Sequence, residues 1–410
     1  MKRLVMKFGG TASADAARLE TCAALIARRR HDGAALAVLV SAAAGQTDAL
    51  AAMAAEADPQ GQWPDEADAV LAAGEQINAA LLAMALRRRG LKARSFGGWQ
   101  AGILTDGRHG AARIESLDAQ RLGALIDGGT IAVIAGFQGL GPDGRITTLG
   151  RGGSDLSAVA LAAALKAEAC EICTDVAGIM SADPAVAPKA GLIERLSYEE
   201  MLEMASQGAK VMQSRAVALA MAERVALRIR SGFHGPGDQE RQTWVNQTAG
   251  LESARVRAIS YSRDEARILV RAMPSGPDAL RDIFAAFSAA GIEVDLIVQS
   301  PSAQKHKSTL VFSLRRGDAA KALDLLSDPC HNPGLETVQL DEDMAKVSVI
   351  GIGLRAQTKM AHTMFEALAA RNIAIGAVAT SETRISALIA NTDVELAVRT
   401  LHSAFGLDRD

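Results

Sequence analysis

The apolar positions of the first 235 residues fall into short solid runs, separated by longer stretches in which they recur every three or four residues. A solid run of five or six suits a strand buried on both faces, and the longer recurrence suits helices packed across such strands. The pattern predicts strands at Leu4–Phe8, Leu36–Ser41, Ile131–Phe137, Cys170–Asp175 and Ala226–Arg230. The helix after the first of these places Leu19, Cys22, Ala23 and Ile26 on one face. It closes on Arg28, Arg29 and Arg30, cations that suit the negative end of a helix dipole. Alternating strands and helices predict an α/β layer with a mainly parallel sheet.

Around Phe233-His234-Gly235-Pro236-Gly237-Asp238 the alternation stops, and the glycines and prolines predict a linker, placed at 236–253. Beyond it one unit occurs twice. The first copy has a strand at Ala266–Ala272, a helix at Asp278–Ala290, strands at Ile292–Val298 and Thr309–Leu314, and a helix at Ala319–Leu326. The second has Lys346–Gly351, Thr358–Ala370, Ile373–Ala379, Arg384–Ala390 and Val394–Phe405 in the same order. Each is a βαββα unit of ferredoxin-like character that buries one sheet face under two helices. The expected organisation is a catalytic layer at 1–235 and two small units at 254–335 and 336–410, a pair suited to regulation or dimerisation.

Composition narrows the function. A chain of 410 residues, 49% hydrophobic and 22% charged, is globular and long enough for roughly three domains. Forty-four Lys and Arg stand against 47 Asp and Glu, so a net charge of -3 supplies no general attraction to nucleic acid or to an anionic membrane. The opening Met1-Lys2-Arg3-Leu4-Val5-Met6-Lys7 lacks a signal-peptide core, and no apolar run is expected to reach the roughly 18 residues of a membrane span. A cytoplasmic protein with small-molecule partners is expected. The Cys170-Glu171-Ile172-Cys173 spacing is that of a redox pair, but its alternation reads better as a strand with small core thiols.

Candidate chemistry gathers where strands end. In Thr147-Thr148-Leu149-Gly150-Arg151-Gly152-Gly153-Ser154-Asp155 a glycine turn leads into an alanine-rich helix, with Ser154 and Asp155 expected as its N-cap. The free N–H groups of a first helical turn favour an anion, and Arg151 can grip a carboxylate with two prongs. The opening strand delivers Lys7 into Gly9-Gly10-Thr11, a turn that lets backbone approach a phosphate. Ser41 and Thr47 follow the second strand and offer hydroxyls, or serve as ordinary caps. Glu75, in Gly74-Glu75-Gln76, lies on a helix as a solvated carboxylate or as a ligand to an ammonium. Phe137, in Gly136-Phe137-Gln138-Gly139, follows a buried strand, where core packing is its default role. Open α/β sheets bind ligands outside the carboxyl ends of their strands, where all these segments terminate.

These segments, with Thr174-Asp175-Val176 and Gly208-Ala209-Lys210, resemble the aspartate kinases of the amino-acid kinase superfamily in the same order and over essentially the whole chain. The doubled C-terminal unit is similar to the tandem ACT domains of that family. The resemblance implies an amino-acid kinase fold, a mainly parallel sheet sandwiched by helices, followed by two ferredoxin-like ACT domains. It implies transfer of the ATP γ-phosphoryl group to the β-carboxylate of L-aspartate, with ATP and Mg2+ required and no all-protein metal cage. Lys7 and Asp155 would then be catalytic. Glu75 would bind the substrate ammonium and Arg151 its α-carboxylate, with Ser41, Thr47, Phe137 and Ser154 shaping the pocket. Lys7, Gly9, Gly10, Thr174, Asp175, Met180, Ala185 and Lys210 would face the nucleotide. The same resemblance implies an amino-acid effector at the ACT units and a homo-oligomer assembled through them. It also leaves open a paralogue acting on a related amino-acid carboxylate, and a non-catalytic regulatory subunit.

The chain departs from the family at several of these places. Met180 stands where an aromatic is usual, Ala185 where an arginine is usual, and Ala12 where a serine is usual. The loops before the ACT helices read Gly276-Pro277-Asp278 and Ala356-Gln357-Thr358 instead of carrying Pro-Gly, and Gln299-Ser300 replaces Gln-Asn. Weakened ATP binding and a poor response to lysine or threonine are expected.

Overall fold

The computed structural model describes residues 2–208, 211–233, 241–247, 255–302, 307–327, 337–354 and 358–408. The chain divides into two units, residues 1–180 with 192–251, and residues 181–191 with 252–410.

The first unit is built on an eight-stranded sheet. Its order is Arg195–Leu196, Gln242–Val245, Leu227–Ser231, Ala169–Thr174, Arg3–Phe8, Ala35–Val40, Ile131–Ala135 and Ala93–Phe96. Neighbours are parallel except where Gln242–Val245 runs against Leu227–Ser231. Strand Gln242–Val245 lies in the stretch expected to be a linker. The inner strands are the solid apolar runs, with every residue of Ala35–Val40 and Ile131–Ala135 buried. Helix Ala16–His31 buries Leu19, Cys22, Ala23 and Ile26 as expected, and Leu25 besides.

Helix Pro64–Arg88 opens with proline and two acids and closes on two arginines, the charge order a helix dipole favours. Contrary to expectation, it is long and apolar enough to span a membrane by length and composition. It is nonetheless half buried within the unit and turns Asp68, Glu75 and Asn78 inward, as a core helix does. Cys22, Cys170 and Cys173 are buried and unbridged, and burial pushes their thiols well above the ordinary range, which fits core packing rather than redox chemistry.

A second sheet was not legible in the periodicity. Strands Ile114–Leu117, Ile103–Thr105, Gln138–Leu140 and Ile146–Thr148 form it in that order. Most of its strands are three residues long, too short to show alternation.

In the second unit the two βαββα copies share one continuous sheet, ordered Val294–Pro301, Lys307–Leu314, Arg255–Pro274, Thr337–Ile352, Arg384–Ala390 and Ala377–Thr380. The two long central strands pair antiparallel, and the first runs well upstream of the predicted Ala266. Its upstream half packs Val256 and Ile259 into the core of the second copy. Residues 181–191 join that core through Ala182, Val186 and Ala187. Ser181 anchors the segment: its carbonyl accepts Ile259 N at 2.8 Å, and its hydroxyl bonds His402 Nε2 and Gly191 N, each at 2.9 Å. Met180 and Leu192, where the chain leaves and rejoins the first unit, pair as an isolated bridge.

Candidate active site

The parallel register brings four strand ends to one edge of the larger sheet. Phe8 pairs with Val40 on one side and with Cys173 on the other, and Val40 pairs with Ala135. One residue further, Ser41 N donates to Phe8 O, Gly136 N to Val40 O and Gly9 N to Cys173 O, at 3.1 to 3.2 Å. Lys7, Ser41, Phe137 and Thr174 are therefore neighbours across the carboxyl edge of one sheet.

Lys7 Nζ lies 2.6 Å from Asp155 Oδ1, and the two side chains are only 12% and 9% exposed. Asp155 comes from the first turn of helix Gly153–Ala164. The cap of that helix differs from the one expected. Gly152, with φ 69°, is the N-cap and offers no side-chain bond, while Ser154 and Asp155 lie inside the first turn. The amides of Gly153 and Asp155 donate to Gly150 O and Gly152 O, so this helix mouth has fewer N–H groups to give an anion than expected. Gly150, with φ 75°, and Gly152 put Arg151 on an exposed turn, where it makes no hydrogen bond or ion pair among the described residues.

The two glycines of the opening turn have different reasons to be there. A Cβ on Gly10 would lie 2.7 Å from Ala42 O, so the bare backbone is required for packing against the next loop. Gly9 leaves space over Lys7 Nζ, 3.6 Å from where its Cβ would be, although its own N–H is taken by Cys173 O.

Glu75 is 3% exposed, and its Oε1 accepts Ala42 N at 3.0 Å. Its Oε2 has no partner among the described residues. Burial pushes this carboxyl up to about 7, against the pull of the Ala42 N–H. Ser41 is held through its backbone, whose carbonyl accepts Asn78 Nδ2 at 2.8 Å. Thr47 falls in the first turn of helix Gln46–Ala57, after Gly45 at φ 77°. Phe137 adopts φ 70°, a strained conformation for a bulky side chain. Ser157 Oγ fixes it by accepting its N–H at 3.2 Å, and Leu149 N donates to its carbonyl at 2.9 Å. Ser154 is buried against Gly136, where a Cβ would sit 3.0 Å from its hydroxyl.

Thr174 and Asp175 end the strand beside Lys7, with Thr174 Oγ1 donating to Asp175 Oδ1 at 3.1 Å. Met180 is half-buried in the first unit, and Ala185 is exposed on the 181–191 segment, its N–H donated to Asp183 Oδ1 at 2.9 Å. Lys210 lies outside the described residues.

Two further buried side chains on the helix that carries Glu75 escaped the sequence reading. Asp68 and Asn78 lie seven residues before and three after Glu75, on the same face of one helix, and are 1% and 3% exposed. Polar residues at that spacing in an alanine-rich helix were the signal.

The amino acid kinase family matches residues 2–231, and the ACT domain matches residues 347–405. Over its full length the chain is 43% identical to aspartate kinase Ask_LysC of Stutzerimonas stutzeri, of which it covers 98%. The chain belongs to the aspartate kinase family. As an aspartate kinase it is a phosphotransferase with a carboxylate acceptor. Its fold matches that of E. coli aspartokinase III in complex with aspartate and ADP, in the R-state, with TM-score 0.82 and 25% identity over 98% of this chain and 99% of that one. The same enzyme in complex with lysine and aspartate, in the T-state, matches with TM-score 0.76 and 25% identity over 99% and 100%.

Proposed function

We propose that the protein transfers the γ-phosphoryl group of ATP to the β-carboxylate of L-aspartate, giving 4-phospho-L-aspartate, at the edge formed by Lys7, Glu75, Arg151 and Asp155. The observation that carries this reading is the Glu75 carboxylate, almost fully buried with one oxygen unpartnered among the described residues. Such a group is costly until a cation reaches it. The ammonium of an amino acid supplies both the charge and the donor. In this reading Arg151, exposed and without a partner among the described residues, takes the α-carboxylate, and Ser41, Thr47, Phe137 and Ser154 line the wall around the acceptor.

The β-carboxylate is already a nucleophile, so the site needs no strong base. It needs in-line placement and neutralisation of the phosphoryl charge. Lys7, beneath the open space at Gly9, supplies that charge at a fixed point, and Asp155 holds the lysine there. The nucleotide side falls to Thr174, Asp175, Met180 and Lys210. Magnesium bound with ATP would neutralise its phosphates. The donor set suits an ion that brings phosphate oxygens of its own, because Asp155 is a single buried carboxylate already paired with Lys7.

The C-terminal unit fits regulation and homo-oligomer assembly, with an amino acid as effector. The Gln299 amide already donates to Ser308 Oγ at 3.0 Å and Ser300 is exposed, so the effector response is weak. A cytoplasmic location suits an enzyme of free aspartate and ATP. The direct test is ADP release by the purified full chain with ATP and Mg2+. The reading requires release that depends on aspartate and is lost in Lys7→Ala; release indifferent to aspartate would refute it.

A further inference from the structure

The loop that carries Arg151 is held by a buried carboxylate that no part of the mechanism above uses. Asp68, 1% exposed, receives four donors. Thr148 N reaches Oδ2 at 3.0 Å and Thr148 Oγ1 bonds Oδ1. Gly110 N lies 3.1 Å from both oxygens, and His109 Nδ1 is 2.8 Å from Oδ2. These donors come from two segments, 109–110 and 148, so one side chain ties two loops to helix Pro64–Arg88.

The two loops are also tied to each other. Ala112 N donates to Thr148 O at 2.9 Å, and Arg215 donates to both Leu149 O and Ala112 O, at 2.9 and 3.1 Å. Gly150 passes so close that a Cβ there would lie 3.2 Å from Gly110 O. Thr105 Oγ1 and Thr147 Oγ1 meet at 2.6 Å. The backbone on the N-terminal side of Arg151 is thus fixed by Asp68, and on the C-terminal side by the turn into helix Gly153–Ala164. The Arg151 side chain has no such support, so its aim depends on this backbone.

We propose that Asp68 is a positioning residue for the α-carboxylate of the acceptor substrate: by bonding Thr148 and the His109-Gly110 strap, it sets the direction in which Arg151 points. The inference rests on the assignment of Arg151 to the α-carboxylate. Four donors converging on one carboxylate hold it, and the two loops that supply them, in a single geometry. An amide in its place must turn a donor towards other donors, and the loop it anchored is then free to sample several positions. A misplaced Arg151 costs acceptor affinity and leaves the lysine and the nucleotide edge alone.

The test is steady-state kinetics on Asp68→Asn, Thr148→Val, Arg151→Ala and the Asp68→Asn/Arg151→Ala double variant, using the full chain. Asp68→Asn should raise KM for aspartate by about 10-fold, with kcat and KM for ATP changing less than about threefold, and Thr148→Val should do the same more weakly. In the double variant the Asp68 substitution should add little to the effect of Arg151→Ala, because both act through one contact. The proposal is overturned if Asp68→Asn lowers thermal stability without moving KM for aspartate, or if it raises that KM equally with and without Arg151. Should Asp68→Asn fail to fold, Thr148→Val, which keeps the carboxylate and its other donors, carries the same comparison. A normal KM in Arg151→Ala alone would refute the Arg151 assignment, an outcome distinct from failure of the Asp68 substitution.

Discussion

Glu75 and Ala42 stand 3.0 Å apart across the seam between a helix and the loop after the second strand, with a backbone N–H donating to one carboxylate oxygen while the other oxygen has no partner among the described residues. Gly74 makes the approach feasible, since a Cβ there would lie 2.8 Å from the Ala42 Cβ. Burial pushes an acid held this way up to about 7, so it changes charge near neutrality.

That value makes both affinity and stability depend on pH. With Glu75 as the proposed partner of the aspartate ammonium, KM for aspartate should fall as pH rises from 6 to 8. Stability moves the other way. The folded pKa lies above the unfolded value of 4.5, so the native state binds more protons than the unfolded state between about 4.5 and 7, and the contribution of Glu75 declines as pH rises through that window. Glu75→Gln should therefore be more stable than the parent at pH 8, by up to about 3 kcal/mol, and equal to it near pH 4.5. The same variant should lose most aspartate affinity. Urea unfolding at the two pH values, with KM measured alongside, checks both halves.

Lys7 and Asp155 form a buried ion pair, and removing one member leaves the other uncompensated. Lys7→Ala and Asp155→Asn should each reduce kcat by about 100- to 1,000-fold, the scale of losing one preorganised group that neutralises developing charge. Both variants should keep the native circular dichroism spectrum. Lys7→Ala should also be less stable, by about 3 kcal/mol or more. Near-normal turnover in Lys7→Ala would remove the basis of the mechanism.

Arg151 is exposed, so its loss should not disturb the fold. Arg151→Ala should raise KM for aspartate by about 10- to 100-fold, the equivalent of one charge-assisted contact, with an unchanged melting temperature. Kinetics and a thermal melt on one preparation test the pair of outcomes.

Much of the candidate edge was legible because strand ends carry it. The solid apolar runs located Lys7, Ser41, Phe137 and Thr174, and the parallel register makes them neighbours. What stayed hidden depends on contacts distant in sequence. Asp68 reaches Gly110 and Thr148, 42 and 80 residues away, and Asn78 reaches Ser41, 37 residues away. Strands of three residues leave no period to read, so the small sheet that supports the Arg151 loop was invisible. The helix after Gly152 was recognised, but its cap was misjudged, because a left-handed glycine took the place that serine and aspartate ordinarily fill.

In the C-terminal unit Lys346, 5% exposed, bridges the Glu265 carboxylate at 3.0 Å and also contacts Asp295, which Arg384 reaches at 3.4 Å. This cluster joins strands of both βαββα copies. Lys346→Met should leave the buried Glu265 carboxylate without its cation, with Asp295 keeping only the Arg384 contact, and destabilise the unit by about 3–5 kcal/mol. Differential scanning calorimetry should show the loss as an earlier transition, and an unshifted profile would mean that the lysine is dispensable.

The regulatory loops lack the Pro-Gly order, and Ser300 has no amide to act as both donor and acceptor. A ligand shifts an equilibrium only by its differential affinity for two states, so lysine and threonine, singly or together, should inhibit weakly at millimolar concentration. Activity against each, measured alongside light scattering, should show an intact oligomer with little inhibition. Strong inhibition below 1 millimolar would contradict this, on the affinity scale where 1 mM corresponds to about 4 kcal/mol.

The most direct test of the central claim is to trap the acyl phosphate. Purified protein, ATP and Mg2+ are incubated in hydroxylamine with aspartate, glutamate or a panel of other amino acids, and the hydroxamate formed is measured. The account predicts abundant aspartate β-hydroxamate, little product with glutamate, and none from Lys7→Ala. No hydroxamate with aspartate, or equal yields across the panel, would contradict it.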